Sequence, residues 1–165
     1  IDNDDLRRGK PTCHKKFGED IAILTGDALF SEAFNIIIKY QSSDAGKKIK
    51  VLGEIADATG VNGMASGQIV DMYYEGKKIS KERLEYMHKH KTGKLITASV
   101  RCAAIICGAS RSDIKKLTDY SEDLGLAFQI TDDILDVTSN RKTAGKTTGK
   151  DAVQEKNTYP GMGGI

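Results

Sequence analysis

The apolar residues of this chain recur at helical spacing along almost its whole length, and alternating strand patterns are almost absent. Apolar residues three and four positions apart form one face of a helix, and that face must be buried against a neighbour. Four long helices are predicted, at about 18–40, 48–75, 81–107 and 113–137, and residues 1–8 are predicted to end an earlier one. The sequence therefore predicts an all-α fold without internal repeats.

A group of polar residues near the end of the last predicted helix is the strongest functional signal. Gln129, Asp132, Asp133 and Asp136 lie three and four positions apart, so we place them on one stripe that borders the buried face. Carboxylates this close repel one another and raise one another's pKa unless a hard divalent cation neutralises them, and Mg²⁺ suits them best. Acidic clusters also occur on solvated helix faces, so the spacing alone leaves both interpretations open.

Cations that could hold phosphate groups lie near both ends of the chain. A Mg²⁺ ion held by few carboxylates keeps positions for water and for the phosphate oxygens of a substrate. Basic segments occur at 6–12 and 145–151, and Lys91 lies at the edge of an apolar run. The segment 145–151 is not a nucleotide-binding P-loop, because Asn140 replaces a required glycine and Asp151 stands where Ser or Thr is needed.

Three glycines share one stripe of the second predicted helix, at Gly60, Gly63 and Gly67. Each costs about 1 kcal/mol relative to alanine inside a helix, so each needs a structural reason. The close approach of another backbone or of a ligand would supply one, with Gln68 and Asp71 projecting from a nearby face. Tight helix packing, with Gln68 and Asp71 bonded to each other or to solvent, explains the same pattern.

Composition argues against several other classes of protein. The 25 basic and 23 acidic residues nearly balance, and the basic ones do not cluster with aromatic residues, so nucleic-acid binding is not indicated. No run of about twenty apolar residues is present, so no membrane span is expected. Residues 139–158 have few apolar side chains and are predicted to form a loop.

The cysteines and the chain ends indicate the setting of the protein. Cys13, Cys102 and Cys107 have no C-x-x-C spacing, so we expect neither a disulfide framework nor a zinc site. We expect free thiols that act as small core residues in a reducing compartment. The chain starts without Met, so we expect an internal piece of a longer protein. We expect that protein to be cytoplasmic, although the missing N-terminus could carry a targeting segment.

Seven segments of the sequence occur in the order found in one known family. They are residues 2–12, 26–29, 67–71, 90–95, 128–136, 146–151 and 156–160. Through these segments the chain resembles the trans-prenyl diphosphate synthases of the polyprenyl synthetase family over essentially its whole length. The form of the first segment is most similar to that of the short-chain farnesyl and geranylgeranyl diphosphate synthases.

This resemblance implies a fold and an activity. The fold is a bundle of antiparallel helices around a deep apolar cavity, usually in a homodimer, with acidic motifs at the mouth of the cavity. Residues 1–165 would be the central part of a single prenyl synthase domain, truncated at both ends. The activity is the Mg²⁺-dependent condensation of an allylic diphosphate with isopentenyl diphosphate, which gives a short-chain all-trans prenyl diphosphate such as farnesyl or geranylgeranyl diphosphate.

The resemblance also implies roles for individual residues. Mg²⁺ would be bound by Asp2, Asp132, Asp133 and Asp136. Arg7 would contact the allylic diphosphate, and Arg8 the isopentenyl diphosphate. Further contacts to the allylic substrate would come from Lys91, Thr92, Gln129, Lys146 and Lys156. The first two aspartates of the family's first acidic motif are not in this sequence, so we expect the 165-residue chain alone to be inactive.

Two other interpretations were weighed against this one. Class I terpene cyclases also ionise prenyl diphosphates with a D-D-x-x-D helix, but they lack the segment at 6–12. A non-catalytic regulatory subunit of a heteromeric prenyl diphosphate synthase is the alternative from another functional class. Such subunits commonly lose carboxylates of the acidic motifs, whereas Asp132, Asp133 and Asp136 are all present here. The sequence leaves the product length and the preferred allylic starter open.

Overall fold

The structure, a computed structural model, describes residues 3–138 and 157–163. These residues are helical almost throughout, so the predicted all-α class is confirmed. The elements are β1 (Leu6–Arg7), β2 (Lys10–Pro11), α1 (Cys13–Phe17), α2 (Glu19–Tyr40), α3 (Ala45–Thr59), α4 (Met64–Tyr74), α5 (Lys81–His88), a π-helical segment (Lys89–Gly93), α6 (Lys94–Cys107), α7 (Arg111–Thr138) and α8 (Tyr159–Gly163). They fall into two compact units, residues 3–42 and residues 43–138 with 157–163.

The first unit begins with a small hairpin where the sequence predicted the end of a helix. Leu6 pairs with Pro11 across β1 and β2, and the two residues between the strands have positive φ, 51° at Arg8 and 73° at Gly9. Two successive positive φ values are typical of a type I′ turn, whose twist matches that of the two strands in a hairpin. The helical prediction for residues 1–8 is therefore wrong over the part that the structure describes, because Arg8 and Gly9 form the turn of a hairpin and not the end of a helix.

Helix α2 of the first unit carries a large uncovered apolar surface. None of its 22 residues is buried. The exposed apolar side chains include Ile21, Ile23, Leu24, Leu29, Phe30, Ile36 and Ile38. By length and composition this helix could cross a membrane, which the sequence analysis did not anticipate. That is weak evidence, because core helices of soluble proteins pass the same test and a carboxylate such as Asp27 is costly at the centre of a bilayer.

In the second unit, α6 packs between α3 and α7, and the π-helical segment packs on α4 and α7. A small apolar core forms where Ile79, Leu84 and Met87 meet side chains of α4 and α8. On another side of α6, Arg101 donates to both carboxylate oxygens of Glu54 on α3, at 2.7 and 2.6 Å. This bidentate pair fixes the distance between α3 and α6.

The long helix predicted at 48–75 is interrupted. Helix α3 ends at Thr59 and α4 begins at Met64, with a turn at Gly60–Gly63 between them. A Cβ at Gly63 would collide with the backbone oxygen of Ala58, so the turn requires a glycine there. The prediction of one continuous helix is wrong, because Gly60 and Gly63 serve this turn rather than a helical stripe.

Two other glycines explain how the helices of this unit come so close. A Cβ at Gly67 on α4 would fall on the backbone of Lys91, and one at Gly125 on α7 would lie 2.9 Å from the Cα of Gly93. The backbone of the π-helical segment is therefore in direct contact with helices on both sides. For Gly67 the expected close approach of another backbone is confirmed.

The cysteines differ from expectation in their burial. All three are free, but Cys13 and Cys107 are exposed and Cys102 is half-buried. The prediction of small core residues is therefore wrong for Cys13 and Cys107 in the described chain. Cys13 lies on α1, which buries no residue, and Cys107 is the last residue of α6.

Replacing Gly67 with alanine is expected to destabilise the full-length protein by about 1–3 kcal/mol, because the methyl group forces two backbones apart. The measurement is urea unfolding monitored by circular dichroism. Gly53→Ala is the matched control, since a Cβ at this exposed α3 position meets nothing within 4 Å. The control is expected to stabilise the protein by up to about 1 kcal/mol. Equal effects of the two substitutions would contradict the close approach.

Candidate functional site

The cation of Lys91 is held by a buried carboxylate of α4. Lys91 Nζ donates to Asp71 Oδ2 at 2.7 Å, and the side chains are 29% and 8% exposed respectively. The sequence analysis left open whether Asp71 bonds to Gln68, to solvent or to a ligand. Its partner is instead a lysine twenty residues further along the chain, on the π-helical segment.

Thr92, the next residue, is tied to α7. Its hydroxyl donates to Gln129 Oε1 at 3.0 Å, and Gln129 Nε2 donates to Asp133 Oδ1 at 2.8 Å. Both ends of the glutamine amide are thus engaged, which fixes its orientation. The structure therefore brings together three residues that the sequence assigned to the allylic substrate, Lys91, Thr92 and Gln129.

The Asp133 carboxylate is only 3% exposed and is surrounded by polar groups. Its second oxygen, Oδ2, accepts from the backbone N–H of Tyr159 at 3.1 Å. His88 Nε2 lies 3.4 Å from the same oxygen, longer than the roughly 2.7–3.2 Å of a good N–H···O hydrogen bond. Burial alone would raise the pKa of this carboxyl group, but the contacts from His88, Gln129 and Tyr159 outweigh it, and the pKa lies below its ordinary value.

The segment at 157–160 is also attached near Asp133 by two of its side chains. Asn157 Nδ2 donates to the backbone oxygens of Tyr74 and Lys77, at 2.8 and 3.0 Å, where α4 ends. The Tyr159 ring stacks on the His88 imidazole with ring centres 5.3 Å apart. The end of the described chain is therefore anchored to α4, α5 and α7 together.

Sequence reasoning missed His88, Asn157 and Tyr159 as parts of this arrangement. Tyr159 lies 26 positions from Asp133, so no helical spacing could connect the two. The only available signal was that residues 156–160 and 128–136 both belong to the segments shared with one family.

The other predicted site residues are placed less fully. Arg7 and Arg8 are exposed on the hairpin of the first unit. Asp132 is half-buried on α7, and Asp136 belongs to α7 although its side chain is outside the description. Three further predicted residues lie outside the described residues altogether, namely Asp2, Lys146 and Lys156.

Within the described ranges, 3–138 and 157–163, no three His, Cys, Asp or Glu side chains are grouped as metal ligands. Asp132 is half-buried on α7, and a partly exposed carboxylate is a suitable ligand for Mg²⁺. Asp133 fits a hydrated ion poorly, because its carboxylate is 3% exposed and each oxygen accepts an N–H group of the described chain.

The chain matches one protein family and several known proteins. A family model described as Polyprenyl synthetase matches residues 1–165. The chloroplastic heterodimeric geranylgeranyl pyrophosphate synthase large subunit 1 of Arabidopsis thaliana is 47% identical, over 100% of this chain and 46% of that one. The farnesyl diphosphate synthase of Escherichia coli is 46% identical, over 100% of this chain and 56% of that one.

One solved structure shows the same fold. A geranyltransferase of Helicobacter pylori, complexed with magnesium and isoprenyl diphosphate, matches 97% of this chain and 52% of its own with a TM-score of 0.89 and 35% identity. The chain thus spans about half the length of the relatives that it matches.

Breaking the Lys91–Asp71 pair from its two sides is expected to have unequal effects on the free energy of unfolding. Lys91→Met leaves the buried Asp71 carboxylate without its cation and should cost about 2–3 kcal/mol. Asp71→Asn leaves an oxygen that still accepts from a partly exposed lysine and should cost about 1 kcal/mol. Thermal unfolding of the full-length variants measures both.

The matched control for this pair is Lys115→Met, which removes an exposed Lys115–Asp119 pair from α7. No measurable change is expected, because ion pairs at the surface contribute little. A control as damaging as Lys91→Met would mean that burial does not distinguish the two pairs.

Proposed function

Since this chain belongs to the polyprenyl synthetase family, we propose that its full-length protein is a prenyltransferase. The reaction joins an allylic diphosphate to isopentenyl diphosphate and gives a short-chain all-trans prenyl diphosphate, farnesyl or geranylgeranyl diphosphate. The observation that carries the proposal is the hydrogen-bonded series Thr92–Gln129–Asp133, next to the Lys91–Asp71 pair. The family resemblance implies that Lys91, Thr92 and Gln129 contact the allylic substrate.

In the proposed reaction the protein stabilises a leaving group. The allylic C–O bond breaks, diphosphate departs with the electron pair, and the double bond of isopentenyl diphosphate attacks the allylic carbon. Loss of one proton completes a chain five carbons longer. Lys91 would bind diphosphate oxygens with its ammonium group. Thr92 and Gln129 would orient the diphosphate through polar contacts. No side chain has to act as a nucleophile.

We propose Mg²⁺ as the cofactor, supported by the family and by the magnesium complex of the Helicobacter pylori relative. Mg²⁺, when bound, would neutralise charge on the diphosphate. Asp132 would be a ligand, together with Asp136 and Asp2. Arg7, Arg8, Lys146 and Lys156 keep the substrate contacts that the family resemblance implies.

The proposal extends to assembly and location. A homodimer is supported by the apolar surface of α2, which no described residue buries. A heteromeric assembly, with this chain as a regulatory or partner subunit, is the second proposal, because one relative is named as the large subunit of a heterodimeric synthase. A cytoplasmic location remains a proposal, and the relatives include both chloroplastic and bacterial proteins.

The decisive experiment uses the complete open reading frame with labelled isopentenyl diphosphate, dimethylallyl diphosphate and Mg²⁺. A single farnesyl or geranylgeranyl product is expected on chromatography. Asp132→Ala is expected to lower turnover at least about 100-fold, since losing one charge-stabilising group at the transition state costs about 3 kcal/mol. The 165-residue chain alone is expected to show no turnover.

Asp119→Ala is the matched control for Asp132→Ala, because it removes an exposed carboxylate from the same helix. It is expected to leave turnover unchanged. Absence of any Mg²⁺-dependent elongation by the full-length protein would contradict the enzyme and favour the regulatory subunit.

Light scattering on the full-length protein tests the homodimer. A mass of two subunits is expected, because an uncovered apolar helix surface is stabilised by burial against a second copy. A mass of one subunit at micromolar concentration would contradict it. A stable complex only with a different prenyl synthase subunit would support the heteromeric assembly instead.

A further inference from the structure

We propose that Asp133 is a positioning residue that joins α7 to the segment at 157–160 and to Gln129, and that it does not bind Mg²⁺. The proposal rests on the proposed function, whose acidic motif includes this residue. It divides the paired aspartates 132 and 133 into two tasks. The first faces the metal, and the second is part of the framework that holds the substrate contacts.

Helix geometry allows such a division. Consecutive residues point about 100° apart around a helix axis, so neighbours do not share a face. Asp133 is 3% exposed, whereas Asp132 is half-buried. The sequence analysis placed both on one stripe, and the structure separates them at the edge of the buried face.

Among residues 3–138 and 157–163, polar groups contact both carboxylate oxygens of Asp133. Oδ1 accepts from Gln129 Nε2 at 2.8 Å, while Oδ2 accepts from Tyr159 N at 3.1 Å and lies 3.4 Å from His88 Nε2. Mg²⁺ needs ligand oxygens at about 2.0–2.1 Å and usually keeps several water molecules. Each oxygen keeps a second lone pair, but at 3% exposure an ion with its water molecules could enter only if the Tyr159 backbone or the Gln129 amide moved, which would leave a buried donor without a partner.

The same contacts show what the carboxylate does. It holds the NH₂ end of Gln129, so that the oxygen end of the amide is presented to Thr92. It also accepts the backbone N–H of Tyr159, while Asn157 attaches the same segment to the end of α4. Loss of Asp133 would therefore disturb a substrate contact and a chain attachment together.

A carboxylate suits this position better than an amide. Asp offers two acceptor oxygens, and each is engaged by a separate N–H donor, from Gln129 and from Tyr159. Asn would place an NH₂ group against one of these donors. Asp133→Asn is therefore nearly isosteric and removes one acceptor.

Two readouts that need no turnover test the proposal on the full-length protein. Calorimetry with Mg²⁺ and inorganic diphosphate is expected to show at most a twofold change in the Mg²⁺ dissociation constant for Asp133→Asn, against at least tenfold for Asp132→Asn. Hydrogen exchange is expected to lose protection at 157–163 in Asp133→Asn alone. Equal weakening of Mg²⁺ binding by both variants would overturn the proposal, as would unchanged exchange in Asp133→Asn.

Kinetics distinguish positioning from a general loss of structure. Asp133→Asn is expected to raise the KM for the allylic diphosphate about tenfold with a smaller effect on kcat. The substitution should add little in a Gln129→Ala background, because both act through the same amide. If the effects of Asp133→Asn and Gln129→Ala on KM were additive, Asp133 would not act through the Gln129 amide. If the full-length protein shows no turnover, the proposed function fails, and the exchange and calorimetry results still decide the role of Asp133.

A test without any variant covers the case in which Asp133→Asn does not fold. A crystal structure of the full-length protein with Mg²⁺ and inorganic diphosphate is expected to keep both Asp133 oxygens on Gln129 and Tyr159. A Mg²⁺ ion at about 2.1 Å from either oxygen would overturn the proposal.

Discussion

Direct backbone contact at two glycines is the constraint on which the site depends. Gly67 lets α4 touch the π-helical segment at Lys91, and Gly125 lets α7 approach the same segment at Gly93. Helices packed through ordinary side chains lie about 8–10 Å apart. The closer approach at these glycines brings short polar side chains of three helices within hydrogen-bonding distance, and the site exists only because this approach is possible.

The site also shows how buried charge is tolerated in the described chain. Asp71 is neutralised by a lysine, and Asp133 by N–H groups and a nearby imidazole. An unpaired carboxylate at either position would be costly. The lysine side chain is 29% exposed and its partner 8%, so the cation is the member of the pair that remains open to solvent.

Local pattern predicted the helical class, most helix ends and the expected close approach at Gly67. It also singled out Gln129 and Lys91, and the resemblance added Thr92 and the substrate-binding role of all three, which stays a prediction. Neither could reveal the contact of Asp133 with Tyr159, because residues far apart in sequence meet only through packing. The hairpin at 6–11 and the turn at Gly60–Gly63 were missed for another reason. Gly9 fits the end of a helix equally well, and Gly60 and Gly63 fit a helical stripe, although the backbone freedom of glycine also permits a turn in both places.

The π-helical segment has a consequence for how the two helices beside it are oriented. In an uninterrupted α-helix the direction of every side chain is fixed relative to every other by a constant angular step. A wider turn contains one additional residue and breaks that relation. The wider turn therefore offsets the faces of α6 relative to those of α5. The face of α5 that carries His88 and the face of α6 that packs on α3 can each be matched to their own neighbours, without a compromise between them.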